Sequence, residues 1–344
     1  MTHFTACEVV PGANTENRRA WLAARQSMVT ASESAVLFDA YPFDLDAFGL
    51  FQAKTMPVND YAPTPWEPMF WGAVMEQPAL RAIARYNQWD YEPGGELLRS
   101  KAHPILGATL DGEIDRHDGL GWVDFEGKMS EVTQAWNEDE GKAPPHVVIQ
   151  AQHQMLVSGS PVAVVFALLQ RCRPCTIEVE PDPPFQRMIV ERSEAFVELV
   201  RRLEPPPPTA KSTDLLKRLY PEDDGSITNL PPEAVEWTEE LLQLGEEIKA
   251  LVNRKDELRN RLRAAMKKCR YGMLPMPVDG YQLWREQSQE KAGYWVEAST
   301  SRPLIAMKQA PWERRNRAAS VVRVRAGESG EMITRFGRRR ASRR

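Results

Sequence analysis

Residues 110–128 read Leu-Asp-Gly-Glu-Ile-Asp-Arg-His-Asp-Gly-Leu-Gly-Trp-Val-Asp-Phe-Glu-Gly-Lys. The pattern is that of a β-hairpin. An apolar run at 105–110 ends on Asp111, and Asp115, Asp118, Gly119 and Gly121 supply turn chemistry. Trp122, Val123, Asp124 and Phe125 then carry the chain back into extended structure. Alternate residues of a strand share a face and each rises about 3.3 Å. Glu126 and Lys128 therefore stand side by side, and Asp111 faces them across the hairpin. Two carboxylates and an ammonium converging there have the chemistry of a divalent-metal hydrolase site. Carboxylate oxygens suit Mg2+ or Mn2+, and such an ion lowers the pKa of bound water while neutralising charge at a phosphate. Asp111 and Glu126 are the candidate ligands, and Lys128 orients the attacking water or stabilises the phosphate.

The segments around the hairpin predict an α/β fold. Before it, residues 20–37 carry Trp21, Leu22, Arg25, Val29, Ser32 and Val36 near the helical period, and a single helix is expected there. A second helix is expected at 44–54 and a third at 69–86, which Pro78 kinks or divides. The four prolines within 57–68 make that segment a loop. A short strand is expected at 97–99. After the hairpin, the loop 134–145 leads to a helix at 146–159 that ends on Gly159. The run 161–170 is apolar on both faces, as in the middle of a sheet, with 176–179 as its partner. A helix at 185–203 should turn Met188, Ile189, Phe196, Leu199, Val200 and Leu203 inward. The sum is a mixed sheet flanked by helices.

Four prolines at 205–208 close that domain, assigned to residues 1–204, and open a linker at 205–232. Residues 233–270 read as a long helix or coiled coil, with Leu241, Leu244, Ile248, Leu251, Leu258 and Leu262 in three-, four- and seven-residue steps. A small β-containing region is expected at 271–310, built on 281–285 and 294–296. The end of the chain, 311–344, holds 11 Arg and 3 Glu in a protein whose net charge is −4. A basic, disordered tail on an acidic body suits a polyanionic partner. No apolar run reaches membrane-span length and no secretory signal opens the chain. Four scattered cysteines do not form a disulfide framework, so a cytoplasmic protein without a membrane partner is expected. Cys172 and Cys175 are read as free thiols, His153 as a structural histidine, and most of Trp66, Trp71, Trp89 and Trp122 as core.

Five ordered motifs raise the specificity of the hairpin signal. They are Trp21, Arg25, Thr30-Ala31-Ser32 and Glu33; Trp71, Gly72 and Glu76; Leu110-Asp111-Gly112; Glu126 and Lys128; and Gln150, Gln152 and Met155. In this order they resemble the phage lambda exonuclease and YqaJ-type viral recombinase family of PD-(D/E)xK nucleases, over about residues 18–203. The resemblance implies a PD-(D/E)xK core and a Mg2+-dependent deoxyribonuclease, with Mn2+ as a substitute. It implies that Glu76 joins Asp111 and Glu126 on the metal. Arg25 and Ser32 would receive the 5′-phosphate of a DNA end, although Arg25 could instead pair with Glu33. Gln150 would touch the active site, with Gln154 a weaker candidate on the same face and Gln152 pointing elsewhere. The implied reaction is 5′→3′ digestion of linear duplex, leaving 3′ overhangs for phage-type recombination. A ring-like homo-oligomer and a single-strand annealing partner in a bacterial host go with it. Two alternatives stand: an endonuclease or nuclease of other polarity on the same core, and a catalytically silent DNA-binding scaffold. Gly127 departs from the family pattern, where the middle residue of Glu-x-Lys is apolar, and is read as a local loosening.

Overall fold

In the computed structural model, residues 2–58, 64, 66–130, 134–279 and 281–285 are described. The chain divides into two compact units, 1–219 and 220–344. The first contains β1 (Cys7–Asn14), α1 (Arg18–Arg25), β2 (Val29–Thr30), α2 (Ala31–Leu37), α3 (Ala47–Thr55) and α4 (Pro68–Asn87). The strands β3 (Asp90–Pro93), β4 (Glu96–Ser100), β5 (Leu106–Thr109), β6 (Gly112–Asp115) and β7 (Trp122–Ser130) follow. It ends with α5 (Pro145–Ser158), β8 (Ala163–Leu169), β9 (Arg173–Val179), α6 (Pro183–Arg202) and α7 (Thr213–Leu219). The second unit holds α8 (Ala234–Met266) and the hairpin of β10 (Tyr271–Val278) with β11 (Tyr281–Arg285).

Two sheets organise the first unit, one in the order β1-β4-β5-β2 and one in the order β3-β6-β7-β8-β9. In the five-stranded sheet only β7 and β8 run parallel, and α5 makes the crossover that a parallel pair requires. Helix α4 covers one face, packing Leu80 and Ala84 on Ile114, Val123, Phe125, Val164 and Phe166. Helix α5 covers the other, with Val147, Ala151 and Met155 on Ala163, Val165 and Ala167. Burial on both faces explains why β8 is apolar throughout. The expected mixed sheet flanked by helices is the observed architecture. Gly159 ends α5 with φ of 79°, as expected. No helix among the described residues is long and apolar enough to cross a membrane.

Several expectations are corrected. The single helix at 20–37 is two helices separated by β2, whose Val29 and Thr30 pair in parallel with Leu106 and Gly107. The cause is local: the Glu33 carboxylate accepts the Thr30 N–H at 2.8 Å, a capping box that restarts the helix at Ala31. The run 105–110 is not a strand of the hairpin that carries Glu126 and Lys128, because β5 belongs to the other sheet. Asp111 lies in the link between β5 and β6, and the hairpin proper is β6–β7, with the turn where it was expected. The two sheets exchange chain at this point, where the Gly94 and Gly95 N–H groups donate to Asp111 O and Leu110 O. A Cβ on Gly94 would lie 2.0 Å from the Leu110 carbonyl oxygen, so only glycine fits.

Pro78 does not divide α4, which runs on through it. In α6, Ile189, Phe196 and Val197 are buried, but Met188 and Leu203 face solvent; Leu203 caps the helix in the left-handed conformation and leaves its face. Trp66 and Trp71 are exposed rather than core. Trp89 packs edge-on to Phe125, and Trp122 stacks on His3. The first unit extends to Leu219, where the sequence placed its boundary at 204, because Asp46 clamps the returning chain. Its Oδ2 accepts from Thr209 N, Thr209 Oγ1 and Ser212 Oγ at 2.6–2.9 Å. The expected strand at 294–296 and the basic tail at 311–344 lie outside the described residues, as do 59–63 and 65 of the loop at 57–68.

Candidate active site

The register of β6 and β7 sets Gly112 opposite Phe125, so the preceding residue, Asp111, falls beside Glu126. Asp111 Oδ2 accepts the Gly127 N–H at 2.9 Å. Its backbone is fixed as well: Gln77 Nε2 donates to Asp111 O at 2.6 Å, and Tyr91 Oη donates to Gln77 Oε1 at 2.6 Å. Glu126 and Lys128 share a face of β7 and form an ion pair. That face looks at α5, where Gln150 donates to Glu126 Oε1 at 2.6 Å and Gln154 donates to Oε2 at 2.5 Å. The i, i+4 spacing puts both amides on one side of the helix. Gln154, the weaker candidate in the sequence, is as close to the cluster as Gln150. Gln152 points away and holds Glu180 O and Asp182 N, as expected.

Glu76 reaches the cluster from α4, on the opposite face of β7. Its path explains Gly127. A Cβ at that position would meet Glu76 Cγ at 3.1 Å and Leu80 Cγ at 3.2 Å, tighter than ordinary side-chain contacts. The glycine is a close approach of helix to strand, which corrects the reading of it as a loosening.

Electrostatics tie the group together. Burial raises the Glu76 carboxyl to about 7, with the Glu126 charge adding to the effect and Lys128 opposing it. Asp111 is raised well above the carboxylate range by burial, then by Glu126 and Glu76. Burial disfavours the charged form of Lys128, but Glu126, Asp111 and Glu76 outweigh it and hold the ammonium above its ordinary pKa. The donor set is all carboxylate oxygen, the chemistry of a hard divalent cation. Mutual repulsion among three carboxylates is what such a cation relieves. As they stand, no three His, Cys, Asp or Glu side chains among the described residues are drawn together tightly enough to enclose an ion. Lys128 and the two glutamines hold the Glu126 oxygens instead.

A second cluster forms around Arg25. Its Nη2 donates to Thr30 Oγ1 at 2.9 Å, Glu33 Oε1 at 3.1 Å and Ser32 Oγ at 3.2 Å, and the guanidinium lies 4.1 Å over the Trp21 ring. The Arg25–Glu33 pair weighed against a phosphate role exists, and Ser32 lies on the same guanidinium nitrogen. Lys54, from α3, donates to Glu33 Oε2 and to Arg25 O, each at 2.7 Å. Burial works against the Glu33 charge, but Lys54 and Arg25 pull its pKa down to about 2. Sequence reasoning missed Lys54; a lone lysine on an otherwise apolar helix was the available signal. His153 is buried, bonds Ser34 Oγ through Nδ1 at 2.5 Å, and is pushed down to about 4 by burial, as befits a structural histidine. The four cysteines are free.

A carboxylate on α4, a second just before the β6–β7 hairpin, and Glu-x-Lys on its return strand bring three carboxylates and an ammonium together at β7. Residues 20–161 match the family model of the YqaJ-like viral recombinase domain, the family whose motifs the sequence carries in order. No curated protein matches the chain. Among solved structures, the chain is similar to an alkaline exonuclease from Laribacter hongkongensis, at 20% identity over 58% of this chain and 96% of that one, with a TM-score of 0.40. The structure of that exonuclease in complex with dAMP gives the same figures.

Proposed function

We propose that the chain is a Mg2+-dependent deoxyribonuclease that digests linear duplex DNA in the 5′→3′ direction and leaves 3′ overhangs for phage-type recombination. The observation that carries this reading is the convergence on β7: Asp111, Glu126, Lys128, Gln150 and Gln154 within one hydrogen-bonded group, with Glu76 beside it. Glu76, Asp111 and Glu126 would hold Mg2+, with Mn2+ able to substitute. Bound there, the ion would supply a water of lowered pKa and neutralise charge on the scissile phosphate.

The chain's own residues do the rest. Lys128, kept protonated by its neighbours, presents an ammonium to a phosphate oxygen or to the attacking water. Gln150 and Gln154 fix the orientation of Glu126 through both of its oxygens. Arg25 and Ser32 receive the 5′-phosphate of the end. A planar guanidinium offers paired donors to phosphate oxygens, and phosphate competes with Glu33 for them while Lys54 retains Glu33 by its other oxygen. The same reading carries a ring-like homo-oligomer, a single-strand annealing partner and a cytoplasmic place in a phage-bearing bacterium.

Digestion of a linear duplex labelled at either end tests it, with and without 5′-phosphate and with Mg2+ or a chelator. The expected result is Mg2+-dependent release of 5′ nucleotides, faster from phosphorylated ends, with that preference lost in Arg25→Ala. Release from 3′ ends, or nicking of circular DNA at the same rate, would overturn the polarity and the end requirement.

A further inference from the structure

Helix α8 spans 33 residues and lies outside the nuclease domain. Its apolar residues keep a strict heptad. Leu241, Ile248 and Leu262 fall at one core position, with Lys255 between them, and Trp237, Leu244, Leu251 and Leu258 fall at the other. From Trp237 to Leu258 these side chains are 45–69% exposed. A stripe of this kind is a seam made to be covered.

Charge identifies what covers it. Residues 234–247 hold five glutamates and no basic residue, whereas 248–266 hold six Lys or Arg and two acids. Compensation of the helix dipole reaches only the first and last turns, so it does not account for Glu246, Glu247, Lys249 and Arg254 at mid-helix. We infer that α8 pairs with α8 of a second copy of this chain in an antiparallel coiled coil. Reversing one helix on the other brings acid to base along the whole length.

The register follows from the sequence. Ile248 faces Leu251 of the second copy, Leu241 faces Leu258, and Trp237 faces Leu262. In this register the flanking positions set Glu247 against Arg254 and Glu240 against Arg261, each pair made twice by symmetry. A parallel pairing in the same heptad sets Arg254 against Arg259 and gives Glu247 only Val252. The Trp237 knob also has a receptacle: an apolar groove beside Leu258 and Leu262 is walled by Trp284 from β11. Existing partners do not forbid the exchange, since among the described residues Arg254 is held by an exposed i, i+3 pair with Glu257.

Charge reversal tests both the pairing and its direction. Full-length E240R/E247R and full-length R254E/R261E are each examined by sedimentation velocity, alone and as an equimolar mixture. Circular dichroism checks that helix content is kept. Each variant alone is expected to show half the wild-type mass, because like charges then face each other, and the mixture is expected to recover the wild-type mass. An assembly built by residues 1–219 leaves that twofold step intact, so the outcome is independent of any ring. Wild-type mass in either variant alone would overturn the proposal, and so would failure of the mixture to reassociate, which leaves the seam to another protein.

Discussion

Gly127 sits between the two residues on which the site depends, and its missing side chain is a packing requirement. Replacing it by leucine places atoms where Glu76 Cγ and Leu80 already stand. Overpacking of this kind costs about 1–3 kcal/mol. Gly127→Leu should therefore lower the unfolding free energy by that amount in urea titrations and reduce cleavage further than stability alone explains, because Glu76 is displaced. Unchanged activity would separate Glu76 from the chemistry. Glu33 gives a pH prediction. Its pKa is about 2 in the folded chain against an ordinary 4.5, so the folded state favours the ionised form. That stabilisation is present above about pH 4.5 and is lost as pH falls towards 2. At about 1.4 kcal/mol per pH unit it amounts to about 3 kcal/mol. Glu33→Gln should be less stable at neutral pH and show a shallower loss between pH 5 and 2 in denaturant titrations. At this scale the sequence was most legible at the hairpin, where Asp111, Glu126 and Lys128 meet as strand spacing implies, while Gln150 was reached only through the family resemblance. Gln77 and Lys54 escaped because no motif or periodicity ties them to their partners, the Asp111 carbonyl and Glu33, which lie on other elements.

Among the elements, periodicity found α4, α5, α6 and α8 and the buried strand β8. It failed at residues 20–37 because an apolar pattern near the 3.6-residue period continues across β2, while the Thr30–Glu33 capping box, itself written in the sequence, restarts the helix. It also failed at 105–110, since nothing in an apolar run says which of two sheets will take it. The end of the first unit was missed for a related reason. Asp46 caps α3 through Gly49 N and also holds the chain at 209–212, and its pKa is pulled down to about 2: burial opposes ionisation, but the Ser212, Thr209 and Gly49 donors outweigh it. Asp46→Ala should cost about 1–2 kcal/mol and expose residues 205–212 to proteases, read as a faster cut there under native conditions. An unaltered digestion pattern would mean that the clamp does not hold the segment.

For the whole molecule, a unit that matches the YqaJ-like viral recombinase domain over residues 20–161 is followed by a unit whose long helix carries a separate, self-complementary charge pattern. The central claim concerns the domain: that the cluster on β7 performs phosphodiester hydrolysis. Lys128 tests it most directly, because it is half-buried, contributes little to the core and pairs with the very carboxylate assigned to the chemistry. Wild type and Lys128→Ala should be compared on the same end-labelled duplex in Mg2+, with DNA binding measured beside cleavage. The predicted result is retained binding with cleavage reduced by about 10²–10³-fold, the scale of losing one transition-state charge partner. Cleavage at the wild-type rate in Lys128→Ala would contradict the account.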